Sequence, residues 1–419
     1  MSSFVSTVRR AYSNRNFLAL NLADVLFLLG GNLWWSFQPL YVLALGASKE
    51  ELGILVMFGL AAMLVPQIPG GILSDRLSKK KIILFGAALR LVPPIIFFLA
   101  NNWVHLFPGV FINSIASIDI PAWNALLAES TSEETRGTAY SIYGSLTSIS
   151  CMSTTIGGVI MDSIGVVSGT RICLLFNEAL LLVYTTIICR FVKEQKTHLR
   201  GVSMNRRVAV FLDDLKNLPR KIEIVIISIG LCSFASGLCL SYMVVYATEV
   251  IGLTNTQWGM LETVVSLIAT TLSTPAGFLS DRIGRKFCIL TSMFIWAISI
   301  FLFINSSNFT LAFLARLLEG VGYGFGGLVT GFVGGSAWQS LIADSTPKHD
   351  LGKVMGLIGA FTIAFNSFAP FVSGYFYNRY SPTLPFQLNI VITMTSAVIV
   401  LLLLRDAKRK RNRNVASML

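Results

Sequence analysis

The chain has 419 residues, 54% of them hydrophobic and only 13% charged, with a formal net charge of +12. Soluble globular domains carry roughly 25% charged residues, so an ordinary soluble fold is excluded. The basic excess sits in short segments between apolar runs, with no soluble basic domain for a nucleic-acid surface, and no nucleic-acid partner is expected.

The apolar residues fall into runs of about 20, enough to cross about 30 Å of hydrocarbon at 1.5 Å per residue. A helix satisfies the backbone of such a run within lipid. Twelve spans are predicted, at 17–45, 51–73, 82–101, 103–127, 137–161, 166–191, 223–248, 256–278, 287–305, 309–335, 353–377 and 384–404. The sixteen residues ahead of them are polar and basic (Arg9, Arg10, Arg15). No cleavable signal peptide is expected, because the first apolar run is too long and no small-residue cleavage site follows it.

Ionisable groups inside spans are expensive and are functional candidates by default. In the first span, Asp24 shares a helical face with Gly31, Trp35 and Gln38. Arg90 in the third span and Asp119 in the fourth lie at similar depths, able to pair with each other or with Asp24. Such a cluster is either a static brace or a protonation site, since an unpaired buried acid holds its proton more tightly. The brace is preferred for Arg90 and a proton-carrying role for one of the two acids. Glu178 in the sixth span and Glu262 in the eighth are less informative, Glu262 lying near the outer end of its span with the interface in reach. In the tenth span Arg316 and Glu319 are one turn apart and partly satisfy each other, and Tyr323 and Gly327 continue that face. Residues 320–335 hold eight glycines in sixteen positions, which points to a bend, a break or tight packing. The six cysteines all lie in apolar runs without a CxxC pair and read as core residues. The three histidines lack companion ligands, so no metal site and no cofactor are expected.

Direction follows from the basic residues of the loops. With both termini in the cytoplasm, the inside segments hold 28 Lys and Arg and the outside loops 3, namely Lys49, Arg171 and Arg379. A multi-pass protein of the cytoplasmic membrane is therefore expected, its basic rim facing anionic lipid.

The chain is also duplicated. Pro69–Arg76 (PGGILSDR) matches Pro275–Arg282 (PAGFLSDR) at an offset of 206, and Trp123–Gly137 resembles Trp338–Gly352 at 215. A nine-residue insertion is thus expected in the second half, around the tenth span. The expected organisation is a first six-helix bundle (1–191), a basic linker (192–222) in which Arg206–Leu218 reads as an amphipathic surface helix, a second bundle (223–404) and a basic tail (405–419).

These paired motifs resemble the signature of the major facilitator superfamily. The second half carries Gly277, Asp281, Arg282, Gly284, Arg285 and Lys286; the first carries Gly71, Asp75, Arg76 and Lys79–Lys81, with Ser78 in place of the glycine. The resemblance covers nearly the whole chain. It implies an all-α fold of twelve transmembrane helices in two pseudo-symmetric six-helix bundles. It also implies a cytoplasmic latch, with Asp75 meeting the eleventh span and Asp281 the fifth. The alternative is that these loops only hold positive-inside charge. The physics is compatible with a latch: glycine permits close helix approach, and a carboxylate suits a helix N-terminus. By the same resemblance the first, fourth, seventh and tenth helices line a central cavity and the sixth is peripheral. The arginine–glycine segment Arg316–Gly320 is similar to a motif that proton-driven exporters of the superfamily carry in the fourth helix; here it stands in the tenth.

No GxxxxGK[ST] loop is present, nor an HExxH or nucleophile–histidine constellation, so neither ATP-driven transport nor an enzyme is expected. The expected function is secondary active transport of a small-molecule substrate by alternating access, with the proton as coupling ion and a monomer as the working unit. The aromatic face of the first span points towards export of an amphipathic solute. Proton-coupled uptake of a sugar or organic acid, with Arg316 serving an anion, is the alternative.

Overall fold

The computed structural model describes residues 12, 14–131, 136–193, 220–326, 335–346 and 351–404. The amphipathic linker segment, the basic tail, Gly327 and the middle of the glycine run lie outside these residues, as do the side chains of Asp75, Arg76 and Asp281.

The described residues are helical apart from short connections. The first span is Arg15–Asn32 followed, after a break, by Gln38–Ala44; the second is Lys49–Arg76; the third is Lys79–Arg90 and Val92–Leu99; the fourth is Leu106–Ala116 and Ile120–Glu129. The fifth is Arg136–Ile149 and Met152–Ile164, and the sixth Val166–Phe191. The second half follows with Arg220–Glu249, Asn255–Ile283, Arg285–Ile304, Phe309–Gly324, a short helix Ser336–Ser345, Leu351–Arg379 and Leu384–Leu403. The end of the molecule where Arg15 lies is called proximal below, and the opposite end distal.

Among the described residues, nine helical segments are long and apolar enough to cross a membrane. The three expected spans outside that set are the fifth, eighth and tenth. The eighth carries Glu262, Thr263, Ser266, Thr270, Thr271 and Ser273, and the fifth is similarly rich in hydroxyls. The tenth ends as a helix at Gly324. These helices are less apolar because they turn polar faces away from lipid, and all three line the central cavity described below.

Proline sets the breaks. Pro39 stands in the first turn of Gln38–Ala44, Pro93 and Pro94 follow the break at Leu91, and Pro121 opens Ile120–Glu129. Proline lacks an N–H and disfavours a helical residue before it, so a helix is interrupted there at little further cost. In the tenth span the glycine-rich stretch is broken. Gly326 takes φ +68, and its carbonyl accepts a hydrogen bond from Ala337 N at 3.0 Å. The residues flanking segment 327–335 therefore meet, and its nine residues match the insertion inferred from the two repeat offsets.

The duplication reappears as matched contacts. Ser48 and Thr254, 206 apart, each form a capping box, with Glu51 and Gln257 respectively. Lys79 pairs with Glu129 at 2.9 Å, and Arg285 with Asp344 at 3.3 Å. The basic partners are again offset by 206 and the acids by 215. Lys80 Nζ donates to the Cys189 carbonyl and Lys286 Nζ to that of Leu401, both at 2.7 Å, so each lysine caps the end of the last helix of its own half. Arg285 is thus engaged within its own half.

Buried apolar residues form one cluster that crosses both halves distally, including Tyr41, Leu52, Tyr242, Tyr246, Trp258 and Phe303. Proximally there are two separate clusters, one around Phe17, Ile83 and Leu126 and one around Ile229, Trp338 and Ile358. Glycines make the distal approach possible. A Cβ on Gly53 would strike the Pro370 carbonyl, on Gly374 the Lys49 carbonyl, on Gly158 the Asn255 carbonyl, and on Gly259 the backbone of Thr154 and Thr155. At Gly71 and Gly277, where close approach was expected from sequence, a Cβ meets no atom of the described residues within 4 Å. In this conformation the tight glycine contacts between the halves are at the other end of the same helices, while Gly70 is close only to Ile118 of its own half. Gly158→Val is expected to lower thermal stability by about 1–3 kcal/mol through overpacking, while Gly277→Ala leaves the melting midpoint unchanged or raised. Equal losses in the two variants would contradict the asymmetry.

Candidate functional site

A cavity of about 510 Å³ lies between the halves, walled by Tyr140 and Ser148 of the fifth span, Glu262 and Thr270 of the eighth, and Arg316 and Tyr323 of the tenth. Ser148 and Thr270 hydrogen-bond across the seam at 2.5 Å. Arg316 is 2% exposed and commits both terminal nitrogens: Nη1 donates to Glu319 at 2.5 Å and Nη2 to Glu262 at 2.6 Å. Its guanidinium also lies 5.0 Å from the centre of the Trp258 ring. Glu319 is sealed in, whereas the Glu262 side chain keeps 27% of its surface. With both acids ionised, two carboxylates face one guanidinium and one negative charge is left over. Of the two acids, Glu262 is the one whose side chain reaches the cavity surface. The expectation that Glu262 simply reaches the membrane interface is therefore corrected: it turns inward to Arg316 and the cavity.

A second cluster of the same composition occupies the first half. Arg90 grips Asp119 with two hydrogen bonds, the Nη2–Oδ1 bond at 2.8 Å and the other from Nη1 to Oδ2. Gly86 makes room, since a Cβ there would strike the Asp119 carboxylate. The Arg90 guanidinium rests 5.5 Å from the Phe27 ring centre. Asp24 accepts a hydrogen bond from the Tyr143 hydroxyl at 2.5 Å. Of the alternatives open from sequence, Arg90 and Asp119 pair with each other and Asp24 turns to the fifth span. Trp35, Gln38 and Arg90 line a separate cavity of about 200 Å³ inside the first half. The face shared by Asp24, Trp35 and Gln38 therefore does not line the central cavity as one surface.

The distal seam closes over the central cavity. Tyr242 donates to the carbonyls of Lys49 and Pro370 at 2.8 and 3.1 Å, Lys49 pairs with Glu249 at 2.5 Å, and Arg379 with Glu50 at 3.1 Å. On the other side Asp162, beyond the apolar part of the fifth span, caps the eighth span. It accepts from Asn255 N and Nδ2 and from Thr256 N and Oγ1, at 2.6–2.9 Å. Partial burial pushes the Asp162 carboxyl up, but the hydrogen bonds from Thr256 and Asn255 outweigh it and hold the group below the usual carboxylate range.

A family model described as Major Facilitator Superfamily matches residues 20–254 and again 224–418. The chain belongs to this superfamily. It is thus a multi-pass membrane transporter and not an enzyme. The quinolone resistance protein NorA of Staphylococcus aureus is 26% identical over 192 residues, covering 46% of this chain and 47% of the relative. An uncharacterized MFS-type transporter of Methanocaldococcus jannaschii is 31% identical over 173 residues, 41% of this chain and 42% of the relative. The matched stretch spans about half the length of these curated relatives. Among solved structures, the nucleoside transporter NupG superposes with a TM-score of 0.70 at 14% identity, covering 92% of this chain and 97% of that one. A D-xylose-proton symporter gives 0.70 at 16%, covering 94% and 98%. At these identities the likeness is one of fold.

Sequence reasoning did not find Tyr143 as the partner of Asp24, nor Asp162 and Tyr242 as seam residues; no motif or spacing marks them. Because the folded Asp162 carboxyl is depressed, its contribution to stability is complete above the ordinary aspartate value of about 3.9 and is lost as pH falls through the lower folded value. Asp162→Asn should therefore cost roughly 1 kcal/mol at pH 7, the worth of a helix cap, and the gap to wild type should close below about pH 3.9. A gap that persists in acid would remove the charged cap from the account.

Proposed function

We propose that this chain is a proton-coupled secondary active transporter that exports an amphipathic small solute across the cytoplasmic membrane by alternating access. The observation that carries the reading is the central cavity with two carboxylates against one guanidinium, one of those carboxylates open to the cavity. A proton on Glu262 neutralises the excess charge and loosens its hold on Arg316; a substrate entering the cavity competes for the same place. Asp24, which accepts a hydrogen bond from Tyr143, is the corresponding acid of the first half, while Asp119 is held by Arg90. Uptake of an anion is supported less, because Arg316 is already shared between two acids that an anion would have to displace. The relative NorA is named for quinolone resistance, a property that removal of the drug from the cell would give, and this supports export.

The 28 to 3 charge split supports a cytoplasmic position for the proximal end. The single distal core and the two proximal cores then support a state closed to the outside with the halves apart on the cytoplasmic side. In the opposite state Asp75 and Asp281, with Gly71, Arg76, Gly277 and Arg282, are the latch that closes the cytoplasmic side. The two bundles, the linker between them and a monomer as working unit remain part of this reading.

In proteoliposomes with an imposed pH gradient, Glu262→Gln is expected to retain substrate exchange and to lose at least about tenfold in uphill accumulation, the scale of an essential charge interaction. Undiminished gradient-driven accumulation would sink coupling through this residue. Asp75→Asn should slow transport several-fold without changing membrane insertion; unaltered kinetics would take it out of the cycle.

A further inference from the structure

The fifth and eighth spans, one from each half, are joined by a row of polar pairs in a regular register. Ser148 meets Thr270 at 2.5 Å, Thr155 meets Thr263 at 3.0 Å, and Asp162 meets the Thr256 hydroxyl at 2.6 Å. On both helices the partners recur every seven residues, close to two turns, so each row lies along one face. Thr263 also donates to the Cys151 carbonyl at 3.2 Å, between the first two pairs. The row ends at a cavity on either side. Ser148 and Thr270 line the central one, and Asp162 and Asn255 line a distal one of about 570 Å³. Among the described residues the eleventh span lines neither cavity, and the second contributes only Lys49, at the distal rim.

The symmetry-related seam, between the second and eleventh spans, is built differently. At the offset of 206, Thr263 and Thr270 correspond to Met57 and Leu64, and only the rim position stays polar, Thr256 corresponding to Glu50. Among the described residues its polar links lie towards the distal end. Arg379 pairs with Glu50, and Tyr242 of the seventh span donates to the carbonyls of Lys49 and Pro370, holding both helices at once. The two seams therefore differ in what parting them costs. Separated hydroxyls exchange one hydrogen bond for bonds to water, at a small net cost. Separated apolar side chains cost free energy in proportion to the area they expose.

We infer that the seam between the fifth and eighth spans is the gate through which the central cavity opens to the outside, and that the second and eleventh spans stay together as the hinge. The gate presupposes the alternating access and the orientation proposed above, and adds the side on which the halves part. Thr155 and Thr263 are its middle pair, bonded to each other when it is shut and to water when it is open.

The wild-type protein carries a reporter in the gate, the native Cys151. Met57→Cys supplies the matching reporter in the hinge, since Met57 is the repeat counterpart of Thr263. Right-side-out vesicles holding the full-length protein, with a pH gradient imposed, are treated on the outside with a charged, membrane-impermeant methanethiosulfonate. Modified cysteines are then counted by peptide mass spectrometry. Cys151 should be modified at least about tenfold faster than the thiol of Met57→Cys, the scale set by exposing a few apolar groups to water. Thr155→Val combined with Thr263→Val replaces the middle pair by apolar groups of similar shape, which is nearly neutral for the closed state. It should slow Cys151 modification about tenfold by making the open state harder to wet, whereas Thr155→Ser with Thr263→Ser should keep the wild-type rate. Equal modification of the two reporters would overturn the gate and leave alternating access standing, with the halves parting on both sides. An unchanged rate in the valine pair would also overturn it. Modification of neither reporter would remove the gate and the alternating-access reading together.

Discussion

A guanidinium placed inside a bilayer must bring its counter-charge with it. The desolvation penalty for an unpaired ion is several kcal/mol or more, and Arg90 and Arg316 are both nearly sealed from solvent. Each is held by carboxylates of its own half. Arg90 ties the third span to the fourth, and Arg316 ties the tenth to the eighth. These pairings fix which helices can be neighbours. Each arginine stands in a cluster with two acids, Glu319 and Glu262 about Arg316, and Asp119 with Asp24 nearby about Arg90. Glu262 differs from Glu319 in keeping part of its side chain exposed, and Asp24 differs from Asp119 in having a tyrosine hydroxyl in place of a guanidinium as its partner.

Each half is tied internally by contacts that recur in the other. Lys79–Glu129 and Arg285–Asp344 close corresponding loops, and Lys80 and Lys286 cap corresponding helix ends, all within one half. Between the halves, distal contact combines the shared apolar cluster with glycine backbone approaching carbonyl oxygen, tyrosine hydroxyls and partly exposed ion pairs. Exposed pairs contribute little each, and backbone approach at glycine requires no side chain to repack. Opening this seam would leave the two proximal cores whole and would part the apolar cluster that the halves share distally.

The breaks in the helices place the chemistry. The third span is interrupted just after Arg90 and the fourth at Ser117–Asp119, so the two partners meet at interruptions. The first span is interrupted at Trp34, beside the smaller cavity of the first half, and the tenth beyond Tyr323, next to the central one. Irregular backbone in a membrane is tolerated where it lines a cavity or is buried in protein.

Much of this was legible in the sequence. Span number, pseudo-symmetry, the insertion in the tenth span and the pairing of Arg316 with Glu319 follow from hydropathy, repeat offsets and helical spacing, all of which are local or one-dimensional properties. The breaks were partly legible, because proline and glycine act on the backbone where they stand. The partner of Arg316 on the eighth span was not, since it lies 54 residues away and is chosen by which helices cross. The same holds for Tyr143 beside Asp24, for Asp162 at the start of the eighth span, and for the division of Trp35 and Arg316 between two cavities. Sequence alone determined that the chain is two copies of one membrane-spanning bundle, because lipid imposes the length and apolarity of each helix directly. Only the tertiary structure decided which buried acid faces the cavity, because that depends on how helices far apart in the chain are rotated against one another.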